Sequence, residues 1–96
     1  MPYIEQGKRP EIDKLVDPLF RHIDSLPMDQ QDGAVNYTVT LLVKSLYSPP
    51  KYFTYDRGLG TLIASFLEFY RTEVAPYEDK KRKENGEVVP LERKNK

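Results

Sequence analysis

The sequence has no cysteine, no tryptophan and a single histidine in 96 residues. Without cysteine there are no disulfides, no zinc-finger sites and no thiol nucleophile. With His22 alone, no multi-histidine metal site can be built. Charge of one sign is not in excess, since fifteen Lys and Arg balance fifteen Asp and Glu. That balance argues against a protein made mainly to hold nucleic acid or an anionic membrane surface. No apolar run approaches the ~20 residues that span a bilayer, and the N-terminus lacks a signal-peptide core. These absences lead us to expect a cytoplasmic protein with no membrane association, no metal and no cofactor.

What is present reads as one small globular domain, 39% hydrophobic and 31% charged. A chain of 11.2 kDa that closes on itself exposes about 5,700 Å² of the roughly 16,000 Å² it exposes unfolded. The charges are uneven. Residues 33–76 carry four basic and three acidic groups, whereas residues 77–96 carry seven and five. The middle therefore reads as core and the tail as a solvated or interacting segment. We expect a helical domain over residues 1–86 and a flexible or partly docked tail over 87–96.

The apolar spacing predicts an all-α fold. Ile12, Leu15, Val16, Leu19, Phe20, Ile23 and Leu26 form one stripe of an amphipathic helix. Pro10 suits its first position, and Pro18 predicts a kink or break near Asp17. Val35, Val39, Leu42, Val43 and Leu46 predict a second helix over about 33–47 with Asp32 as its cap. A third helix is predicted over 54–75, capped by Thr54, with Leu62, Ile63 and Phe66 at the centre of the core. Gly58 and Gly60 in it suggest a close helix approach. Pro76 cannot sit in a straight helix undisturbed, and the segment from it has acids first, Lys80–Lys83 last and Gly86 beyond, the asymmetry of a short fourth helix. Val88, Val89 and Leu91 are the tail's only anchors.

Some residues carry a resemblance. They are Met1-Pro2-Tyr3-Ile4, Asn36-Tyr37, Leu67-Glu68-Phe69-Tyr70-Arg71, and Ala75-Pro76-Tyr77-Glu78-Asp79-Lys80-Lys81 followed by Glu84-Asn85-Gly86-Glu87-Val88. Together they are similar to a family of short uncharacterised proteins from phages and prokaryotes, a domain of unknown function. The resemblance implies a phage-related origin, and no catalytic role carries over from it. The sequence departs from the pattern at Pro18 and in the Ser48–Tyr55 connection.

No constellation has the geometry of a catalytic site. Glu68, Glu73, Glu78, Asp79 and Glu84 do not give the paired carboxylates of helical Mg²⁺ pyrophosphohydrolases, and no serine has a nucleophile's setting. Glu68 and Arg71, at i and i+3, read as an ion pair that Glu78 could join. Asn36 and Tyr37 read as a hydrogen-bonding pair between helices. Lys80–Lys83 beside Tyr77 is flanked by acids, which favours a helix-end pattern over nucleic-acid binding. We therefore expect no enzyme but an interaction module, homo-oligomeric with a dimer favoured, its overhanging third helix contributing Phe69, Tyr70, Val74 and Tyr77. A further protein partner is open. The alternative is a small-ligand or nucleotide site built from Arg71 and the Tyr77–Lys80 block. The candidate ligand or interface residues are Asn36, Tyr37, Glu68, Tyr70, Arg71, Tyr77, Glu78, Asp79 and Lys80.

Overall fold

The computed structural model describes residues 3–93, so Met1, Pro2 and residues 94–96 of the expected tail lie outside the described residues. All regular structure among these residues is helical. A 3₁₀ turn, Gln6–Lys8, leads into α1 (Arg9–Asp24), followed by α2 (Met28–Leu46) and α3 (Tyr52–Phe69). A π-helical stretch, Tyr70–Val74, joins α3 to α4 (Ala75–Asn85) without a break.

Helix α1 runs through Pro18. Of the kink or break expected near Asp17, the break does not occur. Lys14 loses a partner for its carbonyl, but that stretch of the helix is exposed, so water can bond the freed oxygen. Asp17 and Arg21 form an ion pair of 2.9 Å across the proline. Helix α2 begins five residues before the predicted start, after Pro27, whose carbonyl accepts the Gln30 N–H at 2.9 Å. Asp32 is inside the helix and caps nothing. The Gln31 amide donates to the Leu26 carbonyl at 3.1 Å and closes the α1–α2 corner. Thr38, which weakens α2's helix propensity, bonds its hydroxyl to the Ala34 carbonyl at 2.8 Å, one turn back.

The α2–α3 connection is residues 47–51, with a cis Ser48–Pro49 bond, shorter than the sequence suggests because α3 begins at Tyr52. Thr54 is not a cap; it lies in the first turn, 8% exposed. Gly58 marks a close approach, as expected: a Cβ there would stand 3.1 Å from Cγ of Tyr47. Gly60 faces open space and marks none. At its far end α3 meets Pro76, whose ring would collide with the Thr72 carbonyl in a regular helix. The backbone answers by widening: the Ala75 N–H bonds Tyr70 O, five residues back. The fourth segment therefore continues the third, giving a rod of 34 residues, about 51 Å long. Gly86 ends it at φ 96°, a left-handed conformation that favours glycine.

The core expected around Leu62, Ile63 and Phe66 is not closed. No large apolar side chain among the described residues is buried; Leu62 is 37% and Phe66 65% exposed. The chain presents 9275 Å² of surface, against about 5,700 Å² for a compact monomer of its mass. Its radius of gyration is 19.1 Å, against about 12.5 Å for a compact domain of this length. Among the described residues of the tail, Val88 and Leu91 are at least 90% exposed. The physical reason is geometric. Helices α1 and α2 pack as a hairpin and α2 meets α3 near Tyr47, but among the described residues no helix closes the other side of the rod.

Candidate functional site

Two kinds of site stand out, a polar cluster on the rod and a set of open apolar surfaces. In the cluster, Glu68 and Arg71 form the expected ion pair at 2.7 Å. Sequence spacing does not show its third member. The Tyr3 hydroxyl donates to Glu68 Oε2 and accepts from Arg71 Nη2 at 3.2 Å, bringing the chain's N-terminal segment onto α3. The hydrogen bond from Tyr3, then the Arg71 charge and hydrogen bond, hold the Glu68 carboxyl below its ordinary range. Glu68 in turn raises the Arg71 guanidinium, with help from Tyr3.

Glu78 does not join this cluster. Its Oε1 accepts the Tyr70 hydroxyl at 2.7 Å across the π-helical stretch. That bond and the negative charge of Glu78 push the Tyr70 phenol above its ordinary value. Tyr70 also stacks on Phe66, with ring centroids 6.5 Å apart. Downstream, the Lys81 ammonium lies 5.7 Å from the centre of the Tyr77 ring, and Asp79 pairs with Arg82 at 3.5 Å. Lys80 is exposed.

Asn36 and Tyr37 are in the third turn of α2, not the first, because α2 starts early. They diverge. Asn36 faces the α2–α3 side beside Val39, Val43 and Leu62, whereas Tyr37 lines the α1–α2 side. The two are exposed and do not form a buried pair. The nine candidate residues thus fall into separate places: Glu68 and Arg71 on one side of the rod, Tyr70 with Glu78 on another, α4's charged turns beyond, and Asn36 and Tyr37 on α2.

A shallow depression of about 610 Å³ borders Glu68, between Ser65, Phe69, Thr72 and Glu73, and two apolar grooves lie between the helices. A groove of about 550 Å³ runs between α1 and α2, lined by Leu15, Leu19, Ile23, Tyr37 and Leu41 among others. A second, of about 330 Å³, lies between α2 and α3 against Val43, Tyr47, Tyr55, Leu59 and Leu62. Neither holds a group of polar side chains converging on one point, which a small polar ligand would need. Among the described residues, no three His, Asp or Glu side chains assemble as metal ligands would. No helix among them is long and apolar enough to cross a membrane.

Compared with known proteins, the model of the family described as a domain of unknown function (DUF6899) matches residues 1–88. No curated protein and no solved structure matches the chain.

Proposed function

The chain belongs to the DUF6899 family, whose function is not assigned, and we propose that it is a non-enzymatic helical interaction module that completes its core by pairing with a second copy of itself. One observation carries this reading: about 3,600 Å² of surface beyond what a compact monomer exposes. Part belongs to the extended tail, but apolar residues of every long helix contribute, from Leu15 and Phe20 to Phe66 and Tyr77. Soluble monomers rarely leave so much apolar surface to water. Two copies carry about 7,000 Å² of this excess between them, part of it in the tails, which is the scale of an obligate, core-sharing assembly rather than of a transient contact. We place the module in the cytoplasm and read its origin as phage-related, on the sequence features given above.

The nucleotide reading is weaker on geometry. Arg71 is engaged by Glu68 and Tyr3, so a phosphate would have to displace an ion pair of 2.7 Å. The Tyr77–Lys80 block lies further along the rod than Arg71's pair, in α4, with acids among its cations. A melting experiment separates the two readings. An oligomer that folds as it assembles melts at a temperature that rises with protein concentration and stays level with nucleotides or Mg²⁺. A melting point independent of protein concentration, rising with nucleotide by the ~2.7 kcal/mol expected at a hundredfold excess over Kd, would favour the ligand site.

A further inference from the structure

Among the described residues, polar contacts tie the N-terminal segment and the α1–α2 hairpin to the rod at two places. At the first, the Tyr47 and Thr61 hydroxyls share a hydrogen bond at 3.0 Å, and the Arg57 guanidinium lies 5.4 Å from the centre of the Tyr47 ring. At the second, the Tyr3 hydroxyl meets Glu68 and Arg71. None of the ion pairs among these residues joins the two parts. Thr61 and Glu68 are seven residues apart in α3, two turns and about 10 Å along one side of the helix. Ser65 lies between them on that side. It lines both the depression beside Glu68 and a cleft of about 250 Å³ between α2 and α3, with Val39, Leu42, Leu46 and Thr61.

The first attachment lies where α2 ends, beside the connection 47–51. A contact next to a hinge leaves the far parts free to swing. The second attachment removes that freedom, because the segment that carries Tyr3 is bound to α1. The 3₁₀ turn Gln6–Lys8 runs directly into α1, the Lys8 N–H bonds the Glu5 carbonyl at 3.0 Å, and the Arg9 guanidinium donates to the Ile4 carbonyl at 3.1 Å. Gln31 closes the corner between α1 and α2. A pull at Tyr3 therefore reaches the whole hairpin.

We propose that residues 3–8 are a strap whose Tyr3 clasp fixes the hairpin on the rod and so sets how far the cleft between α2 and α3 stands open. The device belongs to the single chain and does not depend on a second copy. Its bonds form a closed set: Arg71 donates to Glu68 and to the Tyr3 oxygen, and the Tyr3 hydroxyl donates to Glu68. Glu68's side chain is 25% exposed, so water replaces a lost donor there only in part. One oxygen atom thus carries the closure. Tyr3→Phe deletes both of its bonds and keeps the ring and the Glu68–Arg71 pair. Two hydrogen bonds of ordinary net strength shift an open–closed equilibrium by roughly tenfold or more. Tyr3 is 53% exposed, so the change opens no core.

The chain has no cysteine and so accepts a pair of nitroxide labels, at Gln30→Cys near the hairpin's corner and Lys83→Cys in α4. The labelled full chain is diluted into an excess of unlabelled chain, so that the dipolar signal reports distances within one molecule whether or not copies pair. One narrow distance is expected. Tyr3→Phe should broaden it while the far-ultraviolet helical signal stays level. Arg21→Gln, which breaks the exposed Asp17–Arg21 pair on α1, should leave it narrow. A distance equally narrow in the Tyr3→Phe chain would overturn the strap, and so would a broad one in the parent. Neither result concerns the mass in solution, so the oligomeric reading stands or falls separately.

Discussion

Gly58 and Gly60 lie one half-turn apart in α3 and should respond oppositely to the same change. At Gly60 a methyl group meets nothing within 4 Å, so Gly60→Ala gains helix propensity and should stabilise by up to about 1 kcal/mol. At Gly58 the new Cβ stands 3.1 and 3.2 Å from Tyr47 ring atoms, and that ring is held by its hydroxyl at 3.0 Å from Thr61. Gly58→Ala should cost about 1–3 kcal/mol by overpacking. Paired thermal melts check both, and a Gly58→Ala protein as stable as its parent would mean that Tyr47 is free to move. The polar residues predict a pH dependence. Glu68 titrates below its ordinary value in the fold, so its contribution is present above the unfolded carboxylate range and is lost as pH falls through the lowered folded value. Tyr70 titrates above its ordinary value, so its contribution is present below the unfolded phenol value and is lost as pH rises through the raised folded one. Glu68→Gln should flatten the acid limb of stability against pH and leave the alkaline limb in place. A melting-temperature profile from pH 3 to 11 tests this, and an unchanged acid limb in the variant would show that Glu68 contributes little.

Among the elements, α1 makes the clearest prediction because it contains Pro18. If the helix already passes through the proline, Pro18→Ala restores one hydrogen bond and removes a clash. Stability should then rise by up to about 3 kcal/mol with helical content unchanged. A marked rise in the far-ultraviolet helical signal would mean that α1 is broken at this point in the parent. The elements also show what the sequence could and could not reveal. Helix identity was legible wherever apolar residues recurred at three and four, as in Leu15 to Ile23 and Leu59 to Phe66. Gly86 was legible as a terminus because little else suits a positive φ. The start of α2 was not, since Met28–Asp32 carries no apolar period and a capping Asp32 looked sufficient. Thr54 has the chemistry of a cap for the same kind of reason, but α3 begins two residues earlier, at Tyr52. Pro76 announces a disturbance, but spacing alone does not distinguish a break from a π-helical widening. Of the candidate site, the Glu68–Arg71 pair was readable from its i,i+3 spacing. Tyr3 was not, because it lies 65 residues from Glu68 and only the folded chain brings them together.

For the whole molecule, the scaling of surface with mass misleads because it assumes that the chain closes on itself. The residues expected at the centre of the core, Leu62, Ile63 and Phe66, stay at least a third exposed, and the proposed second copy would cover them. This changes what Phe66→Ala reports. In a lone chain Phe66 is 65% exposed, and its removal would cost far less than a core substitution. In a paired rod it is covered, and its removal should cost a large part of the ~3–5 kcal/mol typical of a buried phenylalanine, appearing as weaker association at dilute concentration. The central claim is that this fold is finished by a second copy, and the mass of the native full chain in solution tests it most directly. Sedimentation equilibrium across the micromolar range should give at least twice 11.2 kDa, with dissociation on dilution accompanied by loss of helical signal. A species of 11.2 kDa that stays fully helical and melts cooperatively at every concentration would contradict it.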